Sequence, residues 1–203
     1  MKKGKRIAID IAEVAIFVAL MVAASFISIP FYPVPLTFQT VVSVLAGLLL
    51  GRKKGTAAML VYLFMGLVCF IPVFADHSLA GFAYALKPSF GYIIGFIFSA
   101  FTGGMIVSGK REYPLWRYVV AGVAAFFANY VIGIPYFTVI WHLLFGNTAL
   151  GGAVVTYNLI YMPKDLILSI LAGLLAKRVV PLIRKGGVKA PELAEQHKNK
   201  KSL

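Results

Sequence analysis

The sequence predicts an all-α membrane protein with six transmembrane helices and both termini in the cytoplasm. Three observations lead there. The 203 residues are 60% hydrophobic and 13% charged, with a mean hydropathy of +0.86, outside the soluble range. Runs without Asp, Glu, Lys or Arg cover 14–51, 55–75, 88–109 and 118–163, and about 20 apolar residues suffice to cross a bilayer. Eighteen of the 20 Lys and Arg residues fall into four clusters outside those runs: Lys2 to Arg6, Arg52 to Lys54, Lys110 to Arg117, and Lys177 to Lys201. The positive-inside rule makes those clusters cytoplasmic and leaves Lys87 and Lys164 on the far side with Asp76, His77 and Asp165.

Each element follows from the apolar runs and their breakers. Helix 1 is expected at 7–28, retained as a membrane helix because no small-x-small cleavage site ends it before Pro30. Pro30, Pro33 and Pro35 then turn the chain at 29–36, since proline removes a donor and biases its predecessor towards extended backbone. Helix 2 is expected at 37–51, too short to cross upright alone, and helix 3 at 55–71. Helix 4 is expected at 88–108, helix 5 at 116–143 and helix 6 at 160–181, the last with Pro163 as a first-turn residue. Together 1–183 form one membrane domain. The Lys-rich tail 184–203 is apolar-poor and is expected to be disordered. Non-helical backbone near membrane depth needs cover, so the outer loops 29–36, 72–87 and 144–162 should pack on one another over a ligand pocket. Their aromatic residues Phe31, Tyr32, Phe74, Phe82, Tyr84 and Phe145 supply the packing surface.

Several function classes are disfavoured. The net charge of +13 flanks membrane segments and comes with no nucleic-acid-binding motif, so topology explains it better than nucleic acid does. No phosphate-binding loop, His-Glu-x-x-His, Ser-His-Asp set or paired membrane aspartates occur, and His77, His142 and His197 stand far apart. Cys69 is a single cysteine with neither a disulfide partner nor metal-ligand spacing, and is expected in the core. The chain therefore reads as a non-enzyme without metal or cofactor, and active transport would draw its energy from another subunit or an ion gradient.

Two patterns remain. Ala15, Ala19 and Ala23 on helix 1, and Gly91, Gly95, Ser99 and Gly103 on helix 4, recur every fourth residue and allow close helix approach in lipid. Internal packing is the better reading for helix 4; for helix 1, internal packing and an intermolecular contact are equally open. The second pattern is charge. An ionisable group at membrane depth usually marks a ligand or ion path. That singles out Asp165, where the start of helix 6 also favours an anion, and with less force Lys87 and Lys164. The competing readings are a helix cap or a pair with a Lys for Asp165 and a snorkelling side chain for Lys164.

The run Ile29-Pro30-Phe31-Tyr32-Pro33-Val34-Pro35-Leu36-Thr37-Phe38-Gln39-Thr40, with Leu45-Ala46-Gly47 to Gly51 after it, resembles the biotin-specific substrate-binding subunits of energy-coupling-factor transporters, the BioY family. Pro72-Val73-Phe74-Ala75, Pro88-Ser89-Phe90-Gly91-Tyr92-Ile93-Ile94-Gly95-Phe96 and Pro163-Lys164-Asp165-Leu166-Ile167 agree in order and spacing. The resemblance implies a high-affinity biotin pocket under the outer loops of a multi-pass cell-membrane protein. It also implies a complex with a membrane coupling (T) subunit and two ATP-binding cassette ATPase subunits, with Ala15, Ala19 and Ala23 meeting the coupling subunit. On that reading Asp165 accepts the ureido N–H bonds and Lys87 meets the carbonyl or carboxylate. Gln39, Asn129 or Asn158 adds polar contacts, and Tyr92 and Phe31 cover the rings; core packing is the alternative for Tyr92 and Asn129. One position departs: where the family commonly has Lys three residues after the Asp, this chain has Leu168. Either Lys87 or Lys164 restores the charge, or the ligand is lipoate or another sulfur-containing vitamin-like acid.

Overall fold

A computed structural model of the chain describes residues 3–29, 35–77, 79–107, 113–146 and 150–199. Its elements are α1 (Lys3–Phe26), β1 (Ser28–Ile29), β2 (Leu36–Thr37), α2 (Gln39–Leu67), a 3-10 turn at Gly81–Leu86, α3 (Phe90–Ile106), α4 (Leu115–Phe145) and α5 (Leu150–Asn199). Among the described residues three helical stretches, Gly4–Phe26, Leu115–Leu144 and Val154–Ile183, are long and apolar enough to cross a membrane. Phe90–Ile106 is a shorter apolar helix.

The helices expected at 37–51 and 55–71 are the two arms of α2. They meet at Gly51, whose φ of 78° and ψ of 176° break the helix in a region that disfavours any side chain with a Cβ. The arms close tightly beyond it: a Cβ on Gly55 would lie 2.6 Å from the Ala46 carbonyl oxygen. At 1.5 Å rise, arms 39–50 and 52–67 are about 18 and 24 Å long, so neither spans a hydrocarbon core alone. Neighbouring helices cover them. α2 packs on α1, α3 and α5, and the series continues through α3 on α4 and α4 on α5.

The helix 4 stripe does pack internally. Gly91, Gly95 and Gly103 of α3 lie against Tyr136, Asn129 and Ala125 of α4, while Ser99 reaches Ser43 of α2 at 3.4 Å. On α4, Gly122 sits against the Ser169 carbonyl of α5, and Gly173 of α5 returns the contact against Tyr118. Small residues thus bring backbone to backbone, which is how helices associate where lipid removes the hydrophobic drive.

Basic residues gather at one end of the bundle. Arg52 stacks over Phe101, Arg117 donates from Nε to the Ile106 carbonyl at 2.8 Å, and Lys177 donates to the Tyr113 carbonyl at 3.1 Å. At the other end β1 and β2 pair antiparallel, Ser28 opposite Thr37, and close the turn after α1. The segment 72–87 caps that end. Phe74 and Tyr84 are buried and pack with Tyr62 and Phe90, with Phe74–Tyr84 ring centroids 4.6 Å apart. The cap is tied down by a hydrogen bond from the Tyr62 hydroxyl to the Val73 carbonyl at 2.9 Å, and by one from Tyr136 to Ala85.

Three expectations are corrected. The stretch 144–162 is not an outer loop: α5 starts at Leu150, and its early turns bury Asn158 and Tyr161. Consequently Pro163 lies inside a helix, where neighbouring helices can cover the backbone it frees, and Asp165 has no helix N-terminus to cap. Phe82 and Cys69 are exposed, not packed inward, because each sits in a turn that faces away from the cap's core. The backbone of α5 is helical to Asn199. Phe31 and Tyr32 lie outside the described residues, as does the side chain of Phe145.

Candidate functional site: a cleft beneath the cap

Between the cap and the ends of α2, α3, α4 and α5 lies a narrow cleft. Its walls are largely apolar and aromatic, including Ile93, Phe96, Tyr92, Tyr130 and Tyr161, and its polar groups converge from several elements. Helix α5 brings Lys164 and Asp165, α2 brings Gln39 and Thr40, and the β2 turn brings Thr37. Tyr161 and Asp165 are four residues apart, so one face of α5 presents both.

Asp165 is the charged centre. It is 6% exposed, and one carboxylate oxygen, Oδ2, accepts a 2.8 Å hydrogen bond from the Tyr130 hydroxyl. The Lys164 ammonium stands 2.9 Å from Oδ1 as an ion pair, without the alignment of a hydrogen bond, so that oxygen still lacks a donor. Lys164 also donates to the Thr37 carbonyl at 2.7 Å. A buried carboxylate costs far more than it returns unless charge and hydrogen bonds surround it. The Lys164 ion pair and Tyr130 supply part of that, and a donor from a bound ligand would supply the rest.

Gln39 is 3% exposed and held from two sides. Its amide nitrogen donates to the Tyr62 hydroxyl, and its carbonyl accepts from Thr37 Oγ1 at 3.3 Å. The relay Gln39 to Tyr62 to Val73 therefore connects the cleft wall to the cap. Tyr92 places its ring on the wall, edge-on to Tyr130 at 5.5 Å, and donates to Asn158 Oδ1 at 2.6 Å. In the cap, burial pushes the Tyr84 hydroxyl above its ordinary range, so at neutral pH it is a protonated donor beside the cleft.

Of the residues singled out from sequence, Asp165, Lys164, Gln39 and Tyr92 line the cleft. Asn158 stands behind Tyr92 and fixes its hydroxyl, while its own amide donates to Val154 at 2.7 Å. Asn129 is 1% exposed, packs over Gly95, and finds no partner for either amide atom, but it is not on the cleft wall. Lys87 is also off the wall. Its ammonium binds Asp76 at 2.7 Å within the cap, so it makes no pair with Asp165. Phe31 lies outside the described residues. Sequence reasoning missed Tyr130, Tyr161, Thr37, Thr40, Tyr84 and Ser89. For Tyr161 the signal existed in its spacing from Asp165; for Tyr130, in an unbroken apolar run, nothing distinguished it from a core residue.

Along the outer side of the bundle, Ala15, Ala19 and Ala23 line an open groove between α1 and the second arm of α2, with Val18, Val61 and Met65 beside them. Among the described residues no three His, Cys, Asp or Glu side chains group as metal ligands.

Comparison with known proteins bears on this arrangement. A model of the BioY family matches residues 1–185. The probable biotin transporter BioY of Lysinibacillus sphaericus is 32% identical, covering 87% of this chain and 89% of that protein. The putative biotin transporter BioYB of Bacillus subtilis (strain 168) is 34% identical, covering 91% and 94%. In structure, the chain resembles the S-component for biotin from an ECF-type ABC transporter with a TM-score of 0.65 at 24% identity, over 88% of this chain and 94% of that one.

Proposed function

This chain belongs to the BioY family, and on that premise we propose that it is the high-affinity biotin-binding subunit of an ATP-driven vitamin uptake transporter in the cell membrane. The observation that carries the reading is the cleft with buried Asp165 on its wall, one of whose oxygens still lacks a donor. Biotin's ureido ring offers two N–H donors and a carbonyl. Asp165 accepts from the ring, and Lys164, two contacts deep in the same wall, answers the carbonyl or the carboxylate tail. Tyr92, Tyr130 and Phe96 cover the apolar rings, and Gln39 adds polar contact from α2. Lys164, not Lys87, therefore takes the place of the lysine absent at Leu168. The names of the relatives specify biotin, which leaves the lipoate alternative without support.

The chain is a transport subunit, not an enzyme. Its partners on this reading are a membrane coupling subunit, docked on the Ala15, Ala19 and Ala23 groove, and two ATP-binding cassette ATPases that hydrolyse the nucleotide. With the basic end cytoplasmic, the cleft opens outward. Calorimetry of biotin with the purified protein tests the assignment: the parent binds tightly, and Asp165→Asn weakens binding at least tenfold. A parent that binds no biotin would sink the assignment, and an unaltered mutant would remove Asp165 from it.

A further inference from the structure

The α1 groove is apolar along its length except at the basic end, where its charged lining residues are Asp10 and Lys54. Lys54, from the first turn of the second arm of α2, lies 3.1 Å from Asp10 and is also paired with Glu13. Two carboxylates thus share one ammonium, and the cluster carries net negative charge. Asp10 is the open member, with its side chain 56% exposed against 26% for Glu13. Around it the same end of the bundle presents Lys5, Arg6, Arg52, Lys53, Arg117 and Lys177, and among the described side chains its acids are Asp10 and Glu13. The acidic spot at the foot of the groove is therefore an exception to the charge of that whole face.

We propose that the groove takes an apolar membrane helix of a partner whose cytoplasmic end carries a Lys or Arg, and that Asp10, with Glu13 behind it, is the seat for that cation. This deepens the docking reading given above and rests on it. A membrane helix that obeys the positive-inside rule ends in Lys or Arg at the cytoplasmic surface. Brought against most of this protein's cytoplasmic face, such an end meets like charge. At the foot of the groove it meets carboxylates, so charge selects the place along α1 at which small residues then allow close packing. The Lys54 pair holds Asp10 on the groove wall before the partner arrives, and the arriving cation supplies the second positive charge that two carboxylates require. Charge reversal at Asp10 should then act on partner association and leave the vitamin cleft, at the other end of the bundle, unaffected.

The experiment is co-purification of the coupling subunit with full-length variants, over a salt series, with biotin affinity measured on each. Asp10→Arg should lower recovery of the coupling subunit at least tenfold with biotin affinity unchanged, and Asp10→Asn should flatten the salt dependence shown by the parent. If Asp10→Arg also lowers biotin affinity, the Asp10→Asn salt series decides: a slope equal to the parent's overturns the proposal. Ala19→Trp separates this inference from the reading beneath it. Loss of the complex in Ala19→Trp with Asp10→Arg and Asp10→Asn behaving as the parent keeps the docking groove and removes the cation seat. An intact complex in Ala19→Trp removes the groove as docking site. A change from dimer to monomer in Asp10→Arg alone, with the coupling subunit still bound, would make the occupant a second copy of this chain and overturn the proposal.

Discussion

Lys164 and Lys87 are the two basic residues outside the four clusters, and their environments differ. Lys164 is held by Asp165 and the Thr37 carbonyl on the cleft wall, whereas Lys87 is engaged by Asp76 in the cap. Lys164→Met should therefore weaken biotin binding by about tenfold, roughly 1.4 kcal/mol, while Lys87→Met leaves affinity within about twofold. Competition binding with labelled biotin checks both; equal effects would return the choice between the two lysines to open. Tyr130→Phe removes the hydroxyl that donates to Asp165 Oδ2 and should cost about 2 kcal/mol of affinity, since a hydrogen bond to a charged group is lost but the ring stays. Asn129 makes the opposite case. Its amide is buried without a partner, and Asn129→Leu should raise the thermal midpoint in detergent; a fall would mean that water satisfies it.

At the scale of elements, α2 is the piece on which the cleft depends, because it contacts α1, α3 and α5 and supplies Gln39 and Thr40. Its hairpin needs Gly51 at positive φ and Gly55 in backbone contact with Ala46. Gly51→Ala should lower stability by about 1 kcal/mol through backbone strain alone. Gly55→Val should do more, since its Cβ meets a backbone carbonyl that cannot yield, and should also reduce biotin binding by displacing the first arm. Thermal unfolding followed with and without biotin separates the two. Helix α5 teaches a different lesson. A proline after a Gly-rich stretch reads as a helix start, but in a bundle Pro163 is carried inside a longer helix whose earlier turns are fixed by burial of Asn158 and Tyr161.

For the whole molecule, the charge partition makes a topological prediction. Cys69, the single cysteine, is exposed at the end opposite Arg52, Arg117 and Lys177. With the basic end cytoplasmic, intact cells should label Cys69 with a membrane-impermeant maleimide, and Lys53→Cys in a Cys69→Ser background should label only after permeabilisation. The reverse pattern would invert the orientation and place the cleft inside. The two surfaces proposed to bind the vitamin and the partner helix occupy different parts of one bundle, the cleft under the cap and the groove reaching the basic end along α1.

Much of this was legible from composition and spacing. Charge-free runs and clusters located the helices to within a few residues for α1, both arms of α2, α3 and α4, because lipid imposes a strong, local requirement on every residue of a spanning segment. Asp165 was visible for the same reason: a carboxylate at such a position is expensive enough to stand out. Tertiary structure decided what local cost does not encode. It decided that α5 begins before Pro163, that Lys164 and not Lys87 reaches Asp165, and that Tyr130 supplies its hydrogen bond. Those outcomes depend on which helix faces meet, and that is set by close approach of small residues on separate segments, a property of pairs that no single run of sequence carries.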